Sequence, residues 1–207
     1  MRYIKSIPEN PTENMPLIIF LHGDGEEDSM SKLEKLPISQ YVKSKTAYKA
    51  GKFVFIAPLR TSGHWASGST LNKLMSVIEK TIKEYKIDRN RIILTGMSSG
   101  GNATWNIACK YQNFFAGIVP MSAKTGGASA RKLTNLPIYG ICGNKTSDEK
   151  ERNRQMRKLI NEINKKNGRI ITKLEVHENA RHGTIQQYYK SYNLFRWMLS
   201  QRRNSNK

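Results

Sequence analysis

What most constrains this chain is a repeated alternation. Short runs, several of them nearly all apolar, alternate with longer stretches whose apolar residues recur at helical spacing. The runs fall at 2–7, 17–21, 53–57, 92–95, 117–121, 138–142 and 170–176. Strands that read as nearly continuous apolar runs are those covered on both faces, which is the environment of a parallel sheet between helical layers. Between them, Leu71, Leu74, Ile78, Ile82 and Tyr85 step by 3, 4, 4 and 3, one helical stripe. Met156, Leu159, Ile160 and Ile163 form another, with Asn167-Gly168 as its stop signal. A third runs Ile185, Tyr188, Tyr192, Phe195, Leu199. The expectation is an α/β protein with a mainly parallel sheet and helices on both faces. At 207 residues, with no repeat or linker, the chain reads as one domain, 1–207.

In a sheet of this kind ligands collect at the carboxyl ends of the strands, so the chemistry is sought just after each run. After 92–95 comes Gly96-Met97-Ser98-Ser99-Gly100-Gly101, then a helical stretch. This is G-x-S-x-G between strand and helix, with Ser98 at its centre. The glycines allow strand and helix to approach closely around a sharp turn. The turn sets the Ser98 hydroxyl at a helix N-terminus, where developing negative charge is favoured. Ser99 is the rival nucleophile, but glycines do not flank it at the same offsets.

After 17–21 comes His22-Gly23-Asp24-Gly25-Glu26. Such a loop can present backbone N–H groups to an oxyanion, and the N–H groups of Asp24 and Ser99 are the natural pair. Neither phosphate-binding glycine pattern is present, so a nucleotide site is disfavoured. His22 suits a hydrogen-bonded structural role better than that of a base. With Gly23, His64 and Trp65 it is placed around the substrate pocket.

The general base is sought late in the chain. His182, in a loop before the last helical stretch, is preferred to His177. A counting argument narrows the acid: no Asp or Glu lies between Arg89 and Ser147, and Asp148 is the first carboxylate after run 138–142. Asp148 is therefore expected as the acid, with Glu149 second. Asp148 equally reads as a helix N-cap or first-turn acid.

The segments PLIIFLHGDGE, FVFIAPLRTSGHW, YKIDRNRIILTGMSSGGNATWNIA, FFAGIVPMSA and RHGTIQQYYKSYNLFRWML carry a resemblance over most of residues 16–199. The chain resembles small α/β-hydrolases of the predicted-peptidase and phospholipase/carboxylesterase-like group. The resemblance implies Ser98 as nucleophile, His182 as base, and the Asp24 and Ser99 N–H groups as oxyanion hole. It implies a serine esterase needing no metal or cofactor. The departure is at the acid: such families often have Gly-x-x-Asp, whereas Gly143-Asn144-Lys145 is followed by Thr146 and Asp148 stands two residues later. In these hydrolases a cap usually enters after the strand matching 117–121. Here about 16 residues separate Met121 from Ile138, a loop and not a cap. One strand fits before Leu17, so the sheet should be trimmed at that edge, and the site open and shallow.

Charge raises a second reading. There are 35 Lys and Arg against 16 Asp and Glu, a formal net charge of +19. An excess of this size attracts polyanions, anionic esters or anionic surfaces. The alternative is thus a weak or inactive hydrolase scaffold that holds a polyanion. Against it, the basic residues are spread out. The densest cluster, Lys150 to Arg169, is interleaved with Glu149, Glu151 and Glu162, as on a solvated face. No nucleic-acid recognition motif is present. No apolar run approaches the roughly 18 residues of a membrane span, and the first residues carry no signal-peptide core. Cys109 and Cys142, in apolar surroundings, read as buried thiols. The expected location is cytoplasmic, and the substrate a small-molecule or polymer-borne ester.

Overall fold

The computed structural model describes residues 1–26, 29–166 and 172–203. Seven strands form one sheet: β1 (Tyr3–Ser6), β2 (Leu17–Leu21), β3 (Val54–Pro58), β4 (Ile92–Met97), β5 (Gly117–Met121), β6 (Ile138–Gly143) and β7 (Thr172–His177). Their spatial order is β1-β3-β2-β4-β5-β6-β7. Every neighbouring pair is parallel except β1 with β3, where Tyr3 lies opposite Pro58. All seven runs read from the sequence are strands. The predicted start of β7 at Ile170 and Ile171, the Asn167-Gly168 stop and Arg169 lie outside the described residues.

Alternation along each buried strand divides the core in two. In β2, Leu17, Ile19 and Leu21 face one layer, and Ile18 and Phe20 the other. The first layer is filled by helices α4 (Gly68–Glu84), α5 (Ser99–Lys110) and α6 (Ser147–Lys166), through Leu71, Leu74, Ile78, Trp105, Met156 and Ile160. The second is filled by α1 (Met30–Lys35), α2 (Pro37–Val42) and α8 (Tyr192–Ser200), through Leu33, Ile38, Val42, Phe195 and Met198. Helices therefore cover both faces, as the strand composition requires.

Two stretches differ from the sequence reading. Residues 30–48 hold α1, α2 and α3 (Lys45–Tyr48), of six, six and four residues. Pieces this short carry no readable period, and packing rather than propensity stabilises them. The C-terminal stripe is also broken into α7 (His182–Ile185), a 3₁₀ turn over Gln186–Lys190, and α8. Ser191 makes the break: its backbone is extended at φ −89° and its side chain accepts the Leu194 N–H at 3.3 Å, an N-cap. Between β5 and β6 there is only loop and one 3₁₀ turn, Ala130–Lys132, so no cap domain enters there. Among the described residues one strand, β1, stands before β2 and pairs antiparallel with β3. Among the described residues no helix is long and apolar enough to cross a membrane.

Candidate active site

Ser98 stands between β4 and α5 at φ 56° and ψ −122°, a left-handed conformation that costs a non-glycine residue about 1–3 kcal/mol. The packing around it over-determines the turn. A Cβ at Gly100 would lie 2.0 Å from the Leu21 carbonyl oxygen, so α5 can meet the end of β2 only with glycine there. Ser98 N–H donates to the Met121 carbonyl at 3.0 Å, tying the turn to β5.

His182 is the first residue of α7. Its Nε2 is 2.9 Å from Ser98 Oγ. The loop that carries it is anchored from two sides. Tyr189, fully buried, meets Thr95 Oγ1 on β4 through its hydroxyl at 2.8 Å. The Ala180 carbonyl packs so closely on Gly143 that a Cβ there would come within 2.4 Å of it.

The carboxylate behind His182 is Glu149, not Asp148. Glu149 Oε1 lies 2.7 Å from His182 Nδ1 and the residue is fully buried. Asp148, exposed, accepts instead from Arg152 Nε at 2.8 Å, one turn along α6. Both acids sit in the first turn of α6, about 100° apart around the axis, so one faces inward and the other outward. The loop spacing favours Asp148; helical phase selects Glu149.

Glu149 is surrounded by donors. Oε2 accepts the Gly143 N–H at 2.9 Å and the Cys142 thiol at 3.5 Å. Oε1 accepts the hydroxyl of Ser122, which also lies 3.0 Å from His182 Nδ1. Burial alone would raise the Glu149 pKa. The bonds from His182, Ser122 and the Gly143 N–H outweigh it and bring the carboxyl down to about 2. The same burial, with the Glu149 charge beside it, pushes the Cys142 thiol well up, so it remains a thiol. Ser122 is a residue that the sequence pattern does not single out. It is buried, at φ 48° just after β5, and Arg152 Nη1 donates to its carbonyl at 3.0 Å. A lone serine after an apolar run gives no signal of this role.

Asp148, Glu149 and His182 also place three potential metal ligands within 4.8 Å of one another. Arg152 Nε, 2.8 Å from Asp148 and 3.9 Å from Glu149, already supplies the positive charge there. The geometry favours a hydrogen-bonded relay over a metal site.

A cavity of about 150 Å³ opens on Ser98 and His182, lined by Phe20, Gly23, Asp24, Glu26, Leu36, Met97, Gly183 and Gln186. Gly23 lines this cavity, while His22, His64 and Trp65 do not. His22 is fully buried. Its Nε2 accepts the Arg60 N–H at 3.0 Å, so Nδ1 carries the proton and donates to the Gly23 carbonyl at 2.6 Å. Trp65, also buried, donates from Nε1 to the His22 carbonyl at 3.0 Å. His64 is exposed and does not line the cavity. His22 and Trp65 are supports of the loop after β2. His177 ends β7 and pairs with Glu175 at 2.7 Å, away from the serine. Ser99, the first residue of α5, has no intrahelical acceptor for its N–H, and Asp24 lies beside the same cavity. Cys109 and Cys142 are buried free thiols.

Sheet order, strand–serine–helix turn and the Ser98–His182–Glu149 chain together define the α/β-hydrolase fold. Comparison with known proteins agrees. Among solved structures, a thermostable esterase superposes with a TM-score of 0.79 at 22% identity, covering 97% of this chain and 59% of its own. An S-formylglutathione hydrolase from Agrobacterium tumefaciens gives 0.71 at 14% identity, covering 96% and 89%. In sequence, the chain is 26% identical over 150 residues to a bifunctional acetylxylan esterase/xylanase from Neocallimastix patriciarum. That match takes in 69% of this chain and only 20% of the relative, so the chain spans about a fifth of the relative's length. No family model matches the chain.

Proposed function

We propose that the protein is a serine hydrolase that cleaves carboxylic esters with short acyl groups. The observation that carries the reading is the unbroken hydrogen-bond chain Ser98 Oγ–His182 Nε2, His182 Nδ1–Glu149 Oε1, at 2.9 and 2.7 Å. In this reading His182 takes the Ser98 proton as the hydroxyl attacks the ester carbonyl, then returns it to the leaving alcohol. Glu149 holds the imidazole with Nδ1 protonated and stabilises its charged form. The N–H groups of Ser99 and Asp24 receive the oxyanion. Water repeats the sequence on the acyl-enzyme. A scaffold that only bound a polyanion would need none of this arrangement.

Phe20, Leu36 and Met97 give the cavity an apolar side for the acyl group. The acetylxylan esterase named in the sequence relative is consistent with a short one. Despite the net charge of +19, the carboxylate of Glu26 lines the cavity. It favours a neutral acyl group over an anionic one.

The test is hydrolysis of p-nitrophenyl acetate by the protein and by Ser98→Ala. The variant should fold normally and lose several orders of magnitude in kcat. Turnover equal to that of the unaltered protein would overturn the assignment.

A further inference from the structure

The two residues assigned to the oxyanion site come from different parts of the chain and have different support. Ser99 is held by α5. Asp24 sits in a loop with glycine on each side, which by itself sets no fixed backbone position. Yet an oxyanion hole works only if both donors are fixed before the charge arrives.

Side chains join them. Ser99 Oγ donates to Asp24 Oδ1 at 2.7 Å across 75 positions of sequence. The same Oδ1 accepts from Arg60 Nη2 at 2.5 Å. Arg60 lies just past β3, its side chain 7% exposed, whereas that of Asp24 is 69% exposed. It is pinned independently of Asp24: Nη1 donates to the Gly63 carbonyl, and its backbone N–H donates to the His22 ring. His22 Nδ1 closes on the Gly23 carbonyl, the residue before Asp24. The end of β2, the end of β3 and the start of α5 are thus linked through one carboxylate oxygen. An exposed carboxylate that served only solubility would not gather a buried guanidinium and a hydroxyl on the same atom.

We propose that Ser99 Oγ, the Asp24 carboxylate and Arg60 form a clasp that fixes the two oxyanion N–H donors relative to each other. The proposal rests on the serine-hydrolase reading above. The three side chains are positioning groups: the backbone N–H groups, not the clasp, meet the oxyanion. The clasp does not touch the ester.

The experiment is a double-mutant cycle of Ser99→Ala and Asp24→Ala, with Ser99→Thr as the conservative control. Each variant is assayed for kcat and KM on p-nitrophenyl acetate and for inhibition by a trifluoromethyl ketone, which forms a tetrahedral oxyanion. Loosening a donor without deleting it should lower kcat by about 10-fold or more, with KM nearly unchanged, since displacement near 1 Å can cost about 10²-fold. Affinity for the ketone should fall in parallel. Ser99→Thr, which keeps the hydroxyl, should recover most of the rate. The double variant should fall no further than the worse single one, because both break the same bond. Should Asp24→Ala not fold, Asp24→Leu, which fills the space without an acceptor, takes its place in the cycle.

Unaltered kcat in Ser99→Ala, multiplicative losses, or losses confined to KM would overturn the clasp. The last of these would mean that the Asp24 carboxylate touches substrate. Fluorophosphonate labelling of the unaltered protein separates the two levels. Labelling with an unresponsive cycle removes the clasp alone, and no labelling removes the hydrolase reading beneath it.

Discussion

On the β2–β4 side of the site, backbone presses on backbone. Ser98 is held at positive φ by the close approach of α5 to the end of β2, with 2.0 Å from a hypothetical Gly100 Cβ to the Leu21 oxygen. On the β5–β6–β7 side, side chains meet around one buried carboxylate: Ser122, His182, Cys142 and the Gly143 N–H all converge on Glu149. The first construction has no titratable group at its centre and tolerates no added atom. The second tolerates small changes of shape but depends on one negative charge. Steric fit therefore governs one half of the site and protonation the other.

The largest effect should come from adding an atom to the first half. Gly100→Ala should yield no folded, active protein, because the new methyl would have to displace the main chain of β2. Circular dichroism and ester hydrolysis measure it. A folded variant of ordinary activity would show that the turn is softer than its packing implies.

Next comes the charge of the second half. Glu149→Gln should lower kcat by about 10²–10⁴-fold while leaving the fold intact, since His182 loses the carboxylate that orients it. Asp148→Asn should change kcat less than about 3-fold, because an exposed first-turn acid pairs only with Arg152. The reverse ranking would return the role to Asp148.

A smaller effect concerns stability against pH. The Glu149 pKa is depressed from 4.5 to about 2 on folding. The resulting stabilisation is full above ~4.5 and is lost as the pH falls towards 2. Its size is about 3 kcal/mol at most, and Glu149→Gln should abolish it. Urea unfolding at pH 6 and pH 3 should show a steeper acid loss in the unaltered protein than in the variant. Equal losses would mean that Glu149 is not held by the charge-dependent bonds described here.

The same contrast explains what could be read from the residues. Backbone constraints leave a local signature. The glycines around Ser98 directly follow the apolar run of β4, and β2 is itself an unbroken apolar run, so the turn and the sheet are legible. The acid is fixed by helical phase and by partners 27 and 33 residues distant in sequence. Counting from the end of β6 points to Asp148, because the loop register does not say which of two adjacent acids faces inward. Trp65 and His22 pose a related problem. Their position after strands suggests a pocket, but Trp65 donates to the His22 carbonyl, and His22 is buried in the hydrogen-bonded role its position also suggests. The break at Ser191 was hidden because the apolar steps on either side keep the same phase.

The most direct test of the account is to react the unaltered protein with a fluorophosphonate and locate the adduct by mass spectrometry of its peptides. Only a serine whose hydroxyl is activated by a neighbouring base should react rapidly. The account predicts one rapid adduct, on Ser98, abolished by Ser98→Ala and strongly slowed by Glu149→Gln. An adduct on Ser99 or Ser122, or none at all, would contradict it.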